Sequence, residues 1–310
     1  MEIPNLTHIG KAGLKALEYI SGRRDGTITS LKTPWSKFNA VTLDGIEWNK
    51  IILWGGRSGS GKTLISEQLA RELFDLNPMQ AFAVLEFNFE MPSEHLQIRN
   101  IIGRLGIDVR TLLSANGNKL SEADLVRVKD YVENELNSFP IYYVEHPKTA
   151  EQYYLEVKRF YNFLKVPILV IADHTGLFKK SSSEKSAMEF LENLAQKSIE
   201  LKKEIPCTQV ILSQLNRDIE DPLRRTPKSS LNNPLRSDVR GGDGLYNAAD
   251  LVVVTNSPYK LNFKGNTYTQ DALSTNPEDI YWHFIKTRDG EEAVAKMTAD
   301  FKNMRIIDRI

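Results

Sequence analysis

Apolar residues along the chain fall into two alternating rhythms, short continuous runs and longer stretches with a spacing of three or four, which predict strands and helices in turn. Ile51 to Trp54, Ala81 to Phe87, Ile141 to Val144, Pro167 to Asp173, Thr208 to Ser213, Leu251 to Val254 and Tyr281 to Ile285 read as strands. Ile9, Ala12, Ala16, Leu17 and Ile20 place one amphipathic helix near the start, and Ile65, Leu69 and Leu73 place another. Further helices are expected over Ser93 to Gly106, from Ser121 to Phe139 with Asp124 completing a capping pattern, and over Ala150 to Phe163. A long one follows, reaching about Lys203, with Ala187, Leu191, Leu194 and Leu201 facing inward. Strands separated by helices predict an α/β fold, a mostly parallel central sheet flanked by helices.

Polar stretches divide these elements. The segment from Asp25 to Lys32 separates the first helix from Trp35, Phe38, Leu43 and Ile46, which lead into the first strand. Residues 1–34 are therefore expected to form a linker helix and connector, and residues 35–310 the main domain. The helix either folds back on its own domain or docks on a neighbouring subunit. Lys179 to Glu184 is a serine- and lysine-rich loop, and Asn256 to Pro277 a polar insert. Between Pro222 and Arg240 the apolar pattern stops, and Arg224, Arg225, Lys228, Arg236 and Arg240 face only Asp238. Prolines, serines and asparagines make this a mobile loop, either simply solvated or able to hold an anionic polymer by its phosphates.

Charge and composition narrow the partners. Lys plus Arg and Asp plus Glu number 40 each in 310 residues, so no global field draws the protein to nucleic acid or membrane and any anion must be held locally. The single cysteine, Cys207, excludes an internal disulfide and a cysteine zinc cluster, which suits a reducing compartment. No apolar run approaches the ~20 residues of a membrane helix, and the start lacks a basic segment followed by an apolar one. A cytoplasmic location is expected, with no membrane partner.

The candidate chemistry begins at Gly56-Arg57-Ser58-Gly59-Ser60-Gly61-Lys62-Thr63, a complete G-x-x-x-x-G-K-[ST] loop between a strand and a helix. That order lets backbone N–H groups and a helix N-terminus cradle phosphates, with Lys62 reaching the β/γ oxygens and the Thr63 hydroxyl ligating Mg²⁺. ATP and Mg²⁺ are the expected cofactors. Glu90 follows the second strand, at the sheet edge where ligands gather; it either polarises water or is a solvated acid favoured by a helix dipole. Asp173 ends an apolar strand, an arrangement that delivers one carboxylate to Mg²⁺. His174 beside it orients neighbours or is structural. Gln214, at the end of another strand, senses a γ-phosphate or caps a turn. Asp289-Gly290 predicts a hairpin, and alternation puts Lys286 and Arg288 on one face, placed to reach a nucleotide on another subunit or lying on a solvated edge.

The order of these features resembles the RecA-type ATPase domain of the DnaB-like replicative helicases, from Gly13 to Ile307. The resemblance rests on Gly56 to Thr63, Phe89-Glu90-Met91-Pro92, Asp173-His174 followed by Leu177, Ser213-Gln214-Leu215-Asn216-Arg217, Ser237-Asp238-Val239-Arg240, Ala249-Asp250 and Lys286-x-Arg288-x-Gly290. It implies a RecA-like P-loop NTPase fold in which Lys62 binds the β/γ-phosphates, Thr63 and Asp173 manage Mg²⁺, Glu90 activates water and Gln214 is the γ-phosphate sensor. Lys286 and Arg288 would act in trans on the adjacent subunit's nucleotide. The Ile9 to Ile20 helix matches the linker helix that docks on a neighbour to build a ring. Arg236, Arg240, Gly241 and Asp243 are the candidate DNA contacts of the loop that follows single-stranded DNA.

Two departures accompany the resemblance. The chain begins close to the linker helix, so a motor without the primase-recruiting N-terminal domain is expected, of a kind that suits a phage or plasmid system and a bacterial host cytoplasm. Where the family commonly has Arg-Glu-Ser-Gly, this chain has Arg240-Gly241-Gly242-Asp243, retaining only the arginine. The implied function is an ATP-dependent DNA helicase of 5′–3′ polarity, hexameric, with primase or a helicase loader as further partners. A RecA-like recombinase and a non-unwinding, ATP-switched loader or DNA-binding adaptor are the alternatives.

Overall fold

A computed structural model describes residues 6–117, 119–225, 233–240, 242–261 and 276–308. Nine strands form one sheet among them: β1 (Ile51–Gly56), β2 (Ala83–Asn88), β3 (Ile141–Val144), β4 (Ile168–Asp173), β5 (Cys207–Gln214), β6 (Leu251–Asn256), β7 (Asp279–Thr287), β8 (Ala293–Asp300) and β9 (Arg305–Asp308). Their spatial order is β3-β2-β4-β5-β1-β6-β7-β8-β9. The strands from β3 to β6 pair in parallel, and β7, β8 and β9 extend the sheet antiparallel. The helices are α1 (Ile9–Asp25), α2 (Ser36–Val41), α3 (Lys62–Leu76), α4 (Ser93–Leu105), α5 (Val109–Leu113), α6 (Glu122–Asp130), α7 (Ala150–Leu164), α8 (Ala187–Glu204) and α9 (Gly242–Ala248).

Strand alternation splits the core in two. Ile51 and Leu53 of β1 point to the layer under α7 and α8, with Leu85, Phe87, Leu194 and Leu201. Ile52 and Trp54 point to the layer under α2 and α3, with Val84, Ile65, Leu69 and Leu73. Both faces of the parallel strands are thus covered, which is why those strands read as largely apolar runs without a polar alternation. On the second face Trp282 meets Trp35 at 4.9 Å and Trp54 at 5.0 Å between centroids, both edge to face, and Phe38 stacks on Trp54 at 5.7 Å. The Trp35 Nε1–H donates to the Ile306 carbonyl at 2.9 Å, and Gln68 exchanges two hydrogen bonds with Ile306. The last strand is thereby fastened to α3, the helix that opens at Lys62.

Several expectations need correction. Ala187 is exposed, and Phe190 takes the inward position, because the helix begins at Ala187 itself with Ser186 as its N-cap. The Ser121 to Phe139 helix keeps its cap, Ser121 accepting from the Asp124 N–H, but ends as a π turn (Tyr131–Glu135) and a 3-10 turn (Leu136–Ser138). The first helix runs on to Asp25 and stops at Gly26, whose φ of 72° only glycine adopts readily. The connector after it is not wholly free: Leu31 pairs with Ile46 and is fully buried. The stretch before Arg240 is pinned where it is described, because Arg224 reaches the fully buried Asp238 in an ion pair at 2.8 Å and Leu215 bridges Val239. Lys228 and Gly241 lie outside the described residues.

Candidate nucleotide site

β1, β4 and β5 are adjacent in the sheet and end at the same edge, which brings the phosphate loop, Asp173 and Gln214 together. They border an open cleft with Ser58, Gly59, Gly61, Lys62, Thr63, Glu90, Asp173, His174 and Gln214 in its wall. The loop's conformation needs its glycines, Gly59 with φ 74° among them. Gly61 has φ 95° at the N-cap of α3, and a Cβ on Gly56 would stand 2.4 Å from the Ser60 Oγ. Gly56 and Ser60 shape the turn without reaching the cleft wall. Ser60 Oγ is buried with no hydrogen-bond partner among the described residues.

Lys62 is buried and folded over the loop, its Nζ donating to the carbonyls of Gly56 at 2.7 Å and Arg57 at 2.9 Å. Burial pushes its pKa down to about 8, with Asp173 and Glu90 pulling it back up. Thr63 Oγ1 donates to Asp173 Oδ2 at 2.9 Å. Burial holds the Asp173 carboxyl above the usual carboxylate range, against the opposing pull of Thr63, His174 and Lys62. A hydroxyl and a carboxylate side by side are hard oxygen donors of the kind Mg²⁺ takes, and a buried carboxylate with so little compensating charge suits a cation.

The remaining residues line up around this centre. Asn88, in register with Asp173, accepts the backbone N–H groups of Glu90 at 3.3 Å and Met91 at 3.2 Å, so the turn bearing Glu90 is tied to the strand edge. The Glu90 side chain is exposed and comes within 4.0 Å of His174 Nε2. His174 Nδ1 accepts the Gly176 N–H at 3.1 Å, so the proton of its neutral ring sits on Nε2. That nitrogen is 3.3 Å from Gln214 Nε2; both are donors, so a hydrogen bond between the two side chains has the Gln214 amide turned to present Oε1 to the His174 N–H. His174, for which the sequence left both an orienting and a structural role open, thus lies between the candidate carboxylate and the candidate sensor.

Arg57 lends the site only its backbone. Its guanidinium leaves the cleft to meet Glu220, with Nε at 2.6 Å, and the Leu215 carbonyl at 2.9 Å. Arg99, not anticipated, lines the cleft from α4 and holds Glu67 of α3 with two bonds at 2.6 and 2.9 Å. Its only signal was its place on the helix that starts beside Glu90. Lys260 and Phe301 also reach the wall and carried no signal at all.

Lys286 and Arg288 lie elsewhere. Thr287 sits beside Leu251, and Leu251 beside Ile52, at the edge of the sheet where β1 begins, opposite to the phosphate loop. There Lys286 Nζ donates to the carbonyls of Tyr246 at 2.6 Å and Asn247 at 3.1 Å, while Arg288 donates to Asn247 O and pairs with Asp250, each at 3.1 Å. Arg236 and Asp243 pair with each other at 2.5 Å, and the Arg240 side chain is exposed while its backbone bonds to Gln214 O at 3.0 Å.

A phosphate loop after the first strand of a mostly parallel sheet, facing an acid at the end of β4, defines a P-loop nucleotide-binding protein of RecA-like architecture. The model of the DnaB-like helicase C-terminal domain matches residues 30–307, and the chain belongs to that family. It is 26% identical over 231 residues to the replicative DNA helicase DnaB of Buchnera aphidicola subsp. Acyrthosiphon pisum, covering 73% of this chain and 46% of that protein. To DnaB of Helicobacter pylori it is 22% identical over 282 residues, covering 90% and 54%. The chain therefore spans about half the length of these relatives. Among solved structures, one of an isolated ATPase domain superposes with a TM-score of 0.81 at 17% identity, over 99% of this chain and 100% of that one. A DnaB-like replicative helicase, solved in a study of its interactions with primase, gives 0.80 at 17% identity, over 98% and 69%. Among the described residues no helix is long and apolar enough to cross a membrane.

Proposed function

We propose that this chain is the motor of a ring-forming, ATP-driven DNA helicase, hydrolysing ATP at the seams between subunits while moving along single-stranded DNA. The observation that carries the reading is the position of Lys286 and Arg288, at the edge of the sheet opposite to their own phosphate loop. Two adjacent cations there serve no nucleotide of their own chain, and a second copy is the natural owner of the one they reach. The uncovered stripe of α1, with Ile9, Leu14, Leu17 and Ile20 all exposed, supports an assembly in which this helix docks on that neighbour. A hexamer, 5′–3′ movement and contacts with primase or a loader follow from the family likeness and belong to the same proposal.

In this reading Lys62 leaves the Gly56 and Arg57 carbonyls for the β/γ-phosphates, and the loop N–H groups and the N-terminus of α3 hold the rest of the triphosphate. Thr63 and Asp173 would hold Mg²⁺, which when bound offsets phosphate charge. Glu90, kept at the strand edge by Asn88, accepts the proton of the attacking water, and His174 keeps Gln214 oriented toward the γ-phosphate. Arg288 and Lys286 of the neighbour stabilise the charge that develops during transfer. Arg236 and Arg240, with Gly241 and Asp243 beside them, follow the DNA backbone through phosphate contacts, which give affinity without sequence preference.

Forked DNA with a labelled strand tests the proposal. ATP-dependent strand displacement supports the motor, ATP-dependent exchange between homologous strands would point to a recombinase, and DNA binding with neither would point to a loader or adaptor.

A further inference from the structure

The short helix α9 joins two groups of residues to which the proposed function gives different tasks, and the ring of Tyr246 lies between them. The Arg236 guanidinium carbon is 4.8 Å from the Tyr246 ring centroid, and Lys286 Nζ is 5.1 Å from the same centroid. Arg236 is also held by Asp243 at 2.5 Å and by the Asn247 side chain at 3.2 Å, both on α9. Lys286 is seated on the Tyr246 and Asn247 carbonyls at the C-terminal end of that helix, and the Tyr246 hydroxyl donates to the Ile285 carbonyl at 3.2 Å. Two like charges converging on one ring repel each other, and the electron-rich face of the ring offsets that repulsion. Lys286 already feels it: burial, then Arg288, then Arg236 among nearby groups hold its pKa below the ordinary lysine value.

The Arg236–Asp243 pair is exposed on both sides, at 51% and 73%, so a DNA phosphate can replace the carboxylate at little cost. Arg236 then moves from the ring toward the strand, leaving Lys286 as the cation that the ring holds. Arg240, which immediately precedes this region, is bonded through its backbone to Gln214, so strand contact and nucleotide cleft also meet at the other end of the segment.

We propose that Tyr246 is a positioning residue that couples strand contact at Arg236 to the seating of Lys286, so that DNA held by one subunit sets the cations presented to the next subunit's ATP. The inference rests on the reading of Arg236 as a strand contact and of Lys286 and Arg288 as trans-acting cations.

Steady-state ATPase of the full chain, with and without oligo(dT), tests it in Tyr246→Leu, Tyr246→Met and Tyr246→Phe. Leucine and methionine remove the aromatic face; phenylalanine keeps it and loses only the hydroxyl. Expected are an unchanged rate without DNA, an unchanged oligo(dT) affinity by fluorescence anisotropy, and a roughly two- to fivefold loss of DNA stimulation in both ring-less variants, the size of one cation–π contact. Tyr246→Phe should behave as the wild type. Normal stimulation in the ring-less variants, an equal defect in the phenylalanine variant, or a parallel fall of the basal and stimulated rates would each overturn the coupling. Arg288→Ala in the same series keeps the two levels apart. An inactive Arg288→Ala beside normally stimulated ring-less variants rejects the coupling alone, whereas a fully active Arg288→Ala, or a wild type indifferent to oligo(dT), removes the reading beneath it.

Discussion

Replacing Arg288 by alanine separates the two places where its charge can act. Within its own chain the residue follows Thr287, which is level with Leu251 and Ile52, and Gly56 lies four positions further along β1. Four residues at about 3.3 Å along the strand, together with two strand spacings of about 4.8 Å across the sheet, put this position on the order of 16 Å from its own phosphate loop. Across water a unit charge at that distance contributes about 0.3 kcal/mol before salt screening, less than a factor of two in rate. In contact with a neighbour's transferring phosphoryl group, an arginine contributes roughly 10³- to 10⁵-fold in turnover. Arg288→Ala is therefore expected to bind a fluorescent ATP analogue normally and to lose hydrolysis almost completely. Mixing it with Lys62→Ala, itself inactive, should restore activity, because in an equal mixture roughly a quarter of head-to-tail interfaces join an intact Lys62 to an intact Arg288. Turnover of Arg288→Ala alone within twofold of wild type, or silence of a mixture that light scattering shows to have assembled, would refute the reasoning.

Further expectations concern the supports of the site. Glu86 on β2 is buried, and burial first, then the nearby Glu67 and Asp173, pushes its pKa up to about 8 from 4.5. Between those values the folded state keeps a proton that the unfolded chain has released, so stability falls as pH rises across the window, by up to about 1.4 kcal/mol per pH unit. Glu86→Gln should thus match the wild type in thermal unfolding at pH 5 and exceed it at pH 8; equal melting at both would contradict the assignment. Asp238→Ala strips the buried Arg224 of its carboxylate and should cost about 3–5 kcal/mol in urea unfolding, and a change below 1 kcal/mol would show the pair to be dispensable.

How much of this was legible in the sequence depends on how local the signal is. The phosphate loop, its strand and its helix are contiguous, and a motif plus two apolar rhythms specify them without reference to the rest of the chain. The polar residues at the ends of β2, β4 and β5 were legible for the same reason: each follows a short, largely apolar strand, unbroken in β4 and interrupted by Glu86 in β2 and by Thr208, Gln209 and Ser213 in β5. Contacts between distant segments left no such trace. Nothing around Trp35 announces its bond to Ile306, 271 positions away, so α2 and the closing strand β9 went unread. Arg224 and Asp238 looked like part of a solvated charge run, because pattern alone does not distinguish an exposed arginine from one paired with a buried acid. Arg57 was counted with the loop because the motif contains it, yet its side chain answers to Glu220, on a turn that only the folded sheet brings near.

Three of the four tryptophans, Trp35, Trp54 and Trp282, share one box behind the phosphate-loop strand. Native ultraviolet emission is accordingly dominated by a single interior location, with indoles close enough to exchange excitation. Spectroscopists gain an intrinsic beacon for loosening of the domain centre, and need an added dye to follow events at the rim where strand and neighbour arrive.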